Sequence, residues 1–179
     1  MEFDKVIEAR RSVRHYRSDA VPESAVQAMM DAARLGPSGM NVQPWRFAIV
    51  RSAAARAALA DATPSRFIGE APVIIVCCAD REAFAASDAR YAGFMTPEVV
   101  NEQLTIASSI AMTHLMLKAA DLGLGSCWIG LFDEQAVRAA ACIDERYAVK
   151  ALLSVGYPAD EPPARQRLGV EELVLRAAE

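Results

Sequence analysis

Apolar positions change their period several times along the chain, and each change marks an element. Phe3, Val6, Ile7 and Arg10 recur at helical spacing, which predicts a short amphipathic helix over 2–10. Val21-Pro22-Glu23 opens a second helix with proline in its first turn, and Val26, Met29, Met30 and Ala33 form its apolar stripe. Gly36-Pro37-Ser38-Gly39 stops that helix and begins a loop. Trp45 to Val50 reads as a buried strand, and an alanine-rich helix follows over 53–62. The run Pro72-Val73-Ile74-Ile75-Val76-Cys77-Cys78-Ala79 is unbroken and largely β-branched, the pattern of a strand covered on both faces. The stretch 81–97 keeps no period; it mixes Phe84, Tyr91, Phe94 and Met95 with polar residues and reads as a surface excursion, a lid or an insertion.

Pro97 then opens a long helix reaching about Asp121. Leu104, Ile106, Ala107, Ile110, Ala111, Met112, Leu115, Met116 and Leu117 make it apolar nearly all round, so it belongs in a core or at a subunit interface. Leu122-Gly123-Leu124-Gly125 ends it with a glycine cap, and Ser126 to Gly130 is a short strand. A helix over 133–142 and a strand over 148–155 come next. A proline-rich basic tail over 158–167 precedes a last apolar stretch at 170–175. Helices alternate with strands and outweigh them, which predicts an α+β or α/β core.

Composition narrows the class. A chain of 179 residues, 53% of them hydrophobic, is sized for one domain, 1–179, with a real core. A mean hydropathy of +0.14 excludes disorder. The longest uncharged apolar runs fall short of a membrane span, and the charged opening Met1-Glu2-Phe3-Asp4-Lys5 shows no signal segment. The expectation is a soluble, cytoplasmic protein. Net charge is −4, which argues against a general nucleic-acid binder. Against that acidic sum, residues 10–17 carry Arg10, Arg11, Arg14 and Arg17 and no acid, a cluster that suits a local anion site. Cys77 and Cys78 are strand neighbours facing opposite ways, and all four cysteines are expected to be buried free thiols. His15 and His114 lack partners at ligand spacing, so no metal site is expected.

The chain is poor in acid–base machinery. Gly123-Leu124-Gly125 ends a helix and enters a strand, the reverse of a dinucleotide-binding turn. Neither a Walker lysine motif nor Gly-x-Ser-x-Gly occurs, so nucleotide hydrolysis and a serine nucleophile have no support. Chemistry carried by a cofactor fits better. Three patches have donors to hold one. Arg10-Arg11-Ser12-Val13-Arg14 suits a phosphate, or is a solvated basic helix end. The segment Gly36 to Trp45 sets amides and a hydroxyl between helix and strand, where they would hydrogen-bond a flat polar heterocycle or form an ordinary connection. Gly123 to Gly130 allows close approach of a ligand to backbone, or is a plain cap and core strand.

In this order, Arg-Arg-Ser-x-Arg, Pro-Ser-Gly-x-Asn-x-Gln-Pro-Trp and Gly-Leu-Gly-Ser-Cys-Trp-Ile-Gly resemble the compact branch of the FMN-dependent nitroreductase family, over nearly the whole chain. The resemblance implies an α+β fold with a central, mostly antiparallel sheet flanked by helices. It also implies a long buried interface helix and an intertwined homodimer embraced by the C-terminal extension 158–179. FMN would lie between subunits. Arg10, Arg11, Ser12 and Arg14 would hold its phosphate and ribityl chain, joined by the late basic pair Arg165 and Arg167. Pro37, Ser38, Gly39 and Asn41 of the other subunit would line the ring, with Gln43 nearby, and Gly130 and Leu131 would offer backbone to its edge. Where larger members carry an Asn and a Lys before the second strand, this chain has Pro64-Ser65-Arg66-Phe67, so Arg66 alone supplies a charge. The implied activity takes a hydride from NADH or NADPH to small aromatic acceptors, nitroaromatics and quinones, in ping-pong half-reactions at one site with no catalytic side chain. A reductive dehalogenase, a flavin-fragmenting enzyme and a non-catalytic FMN carrier or sensor share the same motifs.

Overall fold

The computed structural model describes residues 1–84 and 89–175. Among these residues the elements follow the predicted order, with a helix where the sequence pattern marks only a last apolar stretch: α1 Phe3–Ala9, α2 Glu23–Ala33, β1 Trp45–Val50, α3 Ala53–Asp61, β2 Val73–Asp80, α4 Pro97–Asp121, β3 Gly125–Ile129, α5 Glu134–Ala140, β4 Tyr147–Gly156 and α6 Val170–Leu173. Short 3-10 turns lie at Gly39–Asn41, Arg66–Glu70 and Ala89–Phe94. The excursion expected over 81–97 falls partly on 85–88, outside the described residues, and the extension expected over 158–179 ends on 176–179, also outside them.

The four strands form one antiparallel sheet in the order β1-β2-β4-β3. β2 is its axis, and every residue of it is buried. Alternation sends Val73, Ile75 and Cys77 to one face and Ile74, Val76 and Cys78 to the other, so each face has its own core. On the first face α2 and α4 pack Met29, Ala33, Ala111, Met112 and Leu115 against Ala151, Leu153 and Val155 of β4. On the second, α3, α5 and the Arg66–Glu70 turn bring Leu59, Val137 and Ile68. An unbroken apolar run thus serves an antiparallel sheet because helices cover both sides.

α4 begins as expected, with Pro97 in its first turn and Thr96 Oγ1 accepting from the Val99 amide at 3.4 Å. It ends on Gly123 at φ +74°; the Leu124 amide donates to Ala119 O at 2.9 Å and the Gly123 amide to Ala120 O at 3.0 Å, a glycine C-cap that satisfies orphan carbonyls. One side of the helix is buried, but Ile106 is 46% exposed. Two expectations need correcting. Cys142 is exposed, at φ 52° just past α5, whereas Cys77, Cys78 and Cys127 are buried free thiols as expected. Only Val6 of α1 is buried; Phe3 and Ile7 are exposed because this seven-residue helix lies at the rim of α4 and covers little of it.

The chain between α1 and α2 is stitched into the sheet margin. Ser12 pairs parallel with Ser126 of β3, and the Val13 amide donates to Ser126 O at 3.0 Å. Further along, the Arg17 amide donates to Tyr157 O at 2.9 Å, and the Ala159 amide to His15 O at 2.9 Å. Gly125 makes this approach possible, since a Cβ there would sit 2.6 Å from Val13 Cγ2. Gly125→Ala should therefore cost about 1–3 kcal/mol in chemical denaturation through overpacking. Gly130→Ala is the control: its Cβ would meet only Trp128 Nε1, at 3.6 Å, and should change stability little. Equal stabilities for the two variants would refute the packing account.

Candidate functional site

The stitched segment carries the first predicted cluster and brings it to the tail. Arg10, Arg11, Ser12 and Arg14 line one groove with Pro162, Pro163, Arg165 and Arg167, together with Ile7, Glu8 and Ala164 of its rim. Its volume is about 600 Å³, within the usual range of small-molecule sites. Residues some 150 positions apart in sequence meet here because 12–17 and 157–159 hydrogen-bond to each other. Nearby, Arg17 pairs with Asp19 at 2.7 Å, and His15 Nδ1 lies 3.9 Å from Glu70 Oε2. Among the described residues, none of the five groove arginines forms an ion pair. Five guanidiniums and a hydroxyl beside a single carboxylate form a donor set that could hold a phosphate dianion.

The arginines are not equivalent. Arg11 turns back on α1, donating through Nη1 to Glu8 O and, at 2.9 Å, to Arg10 O, so part of its capacity caps that helix. Arg14 is exposed and lies over the Phe67 ring, 5.9 Å from its centroid, with Nη1 3.4 Å from Ser12 O. Phe67 restrains the guanidinium without neutralising it. Arg66, the charge singled out beside it, is exposed and paired with Asp61 at 3.6 Å. Beneath the segment the Tyr16 hydroxyl lies 2.7 Å from both Val13 O and Ser154 Oγ, and burial pushes its titration far up. Burial also raises the Cys127 thiol, despite the Arg14 charge and the Ser12 hydroxyl. Both groups are neutral structural partners at neutral pH.

The second cluster does not line this groove. Pro37, Gly39, Asn41 and Gln43 are exposed and Ser38 is half-buried, all on the turn between α2 and β1. Three non-glycine residues there are left-handed: Met40 at φ 52°, Asn41 at φ 55° and Gln43 at φ 48°. Such conformations cost of order 1–3 kcal/mol each, less for asparagine, and persist only where surroundings over-determine them. Here Ser38 does much of that: its Oγ accepts from the Gln43 amide at 3.0 Å and its carbonyl from the Asn41 amide at 3.0 Å. Gln43 Nε2 donates to Asn41 O at 3.1 Å, and Val42 packs near Phe84 and Leu104.

Below the turn, the Asp80 amide donates to Pro44 O at 2.8 Å. The Asp80 carboxylate is buried and receives Arg146 bidentately, from Nε at 2.9 Å and Nη2 at 2.7 Å. The third cluster, Gly130 and Leu131, is exposed at the end of β3. Thr63 Oγ1 donates to Leu131 O at 2.7 Å and the Asp133 amide to Ala62 O at 2.8 Å, pinning that turn to the end of α3. The leading glycines, Gly123 and Gly125, serve the helix cap and the Val13 contact. Sequence reasoning passed over Phe67, Thr63 and Asp80, since a single aromatic, hydroxyl or acid has no motif to announce it.

A family model described as the nitroreductase family matches residues 7–157. A Thermus thermophilus protein named NADH dehydrogenase is 34% identical, over 93% of this chain and 91% of its own. A Rhodospirillum rubrum 5,6-dimethylbenzimidazole synthase is 30% identical, over 93% and 88%. A crystal structure from Desulfovibrio desulfuricans, described as a nitroreductase in complex with FMN, is 30% identical, covers 99% of this chain and 98% of its own, and superposes with a TM-score of 0.82.

Asp80 makes the acid limb of stability testable. Arg146 holds its carboxyl below the usual carboxylate range, against the burial that raises it. Such a group stabilises above its unfolded value, about 3.9, and that contribution is lost as pH falls through the lower folded value. Asp80→Asn cannot ionise, so its unfolding free energy should depend less steeply on pH below about 4. An acid limb unchanged in denaturation series would show that Asp80 does not contribute it.

Proposed function

The chain belongs to the nitroreductase family, and from that premise we propose that it is an FMN-dependent NAD(P)H oxidoreductase acting on small aromatic acceptors such as nitroaromatics and quinones. The observation that carries this reading is the groove in which Arg10, Ser12 and Arg14 meet Arg165 and Arg167. Its donor set suits a terminal monophosphate, and a relative solved with FMN superposes over nearly the whole chain. Bound FMN supplies hydride transfer in two half-reactions, the donor leaving before the acceptor enters.

This chain's residues bind and orient. Arg10, Arg14, Arg165 and Arg167 neutralise the phosphate, Ser12 adds a hydroxyl, and Arg11 divides its donors between the groove and the end of α1. Pro37, Ser38, Gly39, Asn41 and Gln43 meet the ring of a flavin held by the other subunit, and Gly130 and Leu131 present backbone at its edge. Thr63 occupies the Leu131 carbonyl, leaving that residue's amide for the ligand. Residues 1–179 act as one flavin-binding unit in the cytoplasm, with 158–179 reaching the partner.

The homodimer belongs to this proposal. Ile106 on α4 is exposed, as are Leu168, Val170, Leu173, Val174 and Leu175 on the tail. Exposed apolar residues on both the long helix and the tail suit a second copy of the chain. A second reading, flavin fragmentation, is favoured by the synthase relative, since the ring of FMN carries the same pair of adjacent methyl groups as 5,6-dimethylbenzimidazole.

The purified protein should release one FMN per chain, and its visible flavin absorbance should bleach with anaerobic NADH or NADPH and return with a quinone. Flavin that stays oxidised would support a carrier or sensor, and flavin destroyed in air on reduction would support fragmentation. Arg14→Ala should bind FMN about ten- to a hundredfold more weakly than an Arg17→Ala control, because a charge-assisted hydrogen bond is worth about 1.5–3 kcal/mol. Equal affinities would remove Arg14 from the site. Mixed Arg14→Ala and Asn41→Ala chains should regain activity on subunit exchange, since one groove of each heterodimer has both intact residues. No rescue despite demonstrated exchange would sink the shared site.

A further inference from the structure

Arg46 stands at the start of β1, directly after the left-handed turn. Its Nη1 donates to Gln43 O at 3.1 Å and to Trp45 O at 2.7 Å, while its Nη2 lies 3.7 Å from Asp80 Oδ2. Asp80, only 3% exposed, is held by Arg146, in the turn just before β4, and by the Glu82 amide at 3.1 Å. Arg146 is itself steadied by Glu82 at 3.7 Å and lies over the Tyr147 ring. The result is a relay from Arg146, before β4, through Asp80 and Arg46 to the carbonyl of Gln43, a residue whose own φ of 48° needs outside support.

Simple sheet closure does not call for this arrangement. Arg146 and the Glu82 amide already satisfy the Asp80 carboxylate, and the side chain of Arg46 is half exposed, so its guanidinium had the choice of solvent. It donates back along the chain instead, to Trp45 O and to the last carbonyl of the turn, Gln43 O. Ser38 fixes one end of that turn from within, and Arg46 fixes the other from the sheet.

We infer that Arg46, anchored by the buried Asp80–Arg146 pair, is a positioning residue that holds the Ser38–Gln43 turn in the conformation that receives the flavin ring. The inference rests on the FMN reading above. It assigns Arg46 to the ring half of the ligand, whereas the Arg10–Arg14 groove serves the phosphate half.

The test uses purified apoprotein titrated with FMN and with riboflavin, which lacks the phosphate. Arg46→Met keeps the apolar stem and the Asp80–Arg146 pair but removes the donors. It should weaken both ligands equally, about tenfold or ~1.4 kcal/mol, and shift the visible absorption band of bound flavin. Arg46→Lys, which restores one charged donor, should recover most of the loss and of the spectrum. Arg14→Ala should instead weaken FMN far more than riboflavin. If Arg46→Met only lowers the melting temperature and leaves both affinities and the spectrum unchanged, Arg46 is structural and the inference fails while the FMN reading stands. If Arg46→Met weakens FMN selectively, it belongs to the phosphate site and the inference also fails. If neither arginine variant changes flavin binding, the FMN reading itself fails, and the inference with it.

Discussion

The close approach of residues 12–14 to β3 is the contact on which the arginine groove depends. Backbone of Val13 reaches Ser126 only because Gly125 presents no side chain, and the same stitch continues through Arg17 to Tyr157 and through His15 to Ala159. One row of hydrogen bonds thus decides where both basic segments point. Without it, Arg10–Arg14 would be the frayed end of a seven-residue helix, and Arg165 and Arg167 would belong to an unattached tail. The glycine that looked like a ligand contact creates the groove indirectly, by letting two pieces of chain touch.

That placement explains how an acidic protein concentrates positive charge. Net charge is −4, yet the groove gathers five arginines while the neighbouring Arg17 is paired off with Asp19. Unneutralised guanidiniums packed together repel one another, a cost an arriving anion would reverse. Phe67 under Arg14 and the α1 carbonyls under Arg11 keep those side chains ordered meanwhile, lowering the entropy lost on binding.

Much of the scaffold was legible in the sequence because its signals are local and agree with one another. β2 announces itself by an unbroken apolar run, and α4 by Pro97 at one end and Gly123 at the other. The antiparallel sheet was available only through the family resemblance, since the same run suits a parallel strand. The sequence was silent where a residue's role depends on a distant partner. Nothing local distinguishes Asp80 from other acids until Arg146 meets it, or Phe67 from other core aromatics until Arg14 lies above it. Left-handed backbone at Met40, Asn41 and Gln43 was hidden for another reason: none of the three is a glycine, and hydrogen bonds to Ser38 within the turn hold them there. Exposure of Cys142 and of Phe3 was missed because apolar context along the chain is no guide to cover in space.

The inventory of buried reactive groups also bears on how this fold does chemistry. Tyr16 is neutral and bonded to Ser154, Cys77 and Cys78 are raised by burial in the two cores, and Asp80 is bound by Arg146. Each is already engaged in holding the sheet or its margin. The groove and the two turns offer instead guanidiniums, amides, hydroxyls and backbone, groups that bind and orient but do not exchange protons near neutral pH. On the proposed reading such a scaffold would fix a ligand's two ends, phosphate in the arginine groove and ring against the left-handed turn of the other subunit. Reactivity would then reside in the ligand, and the left-handed turn, tied through Ser38 and Arg46, would be the surface against which that ligand is placed.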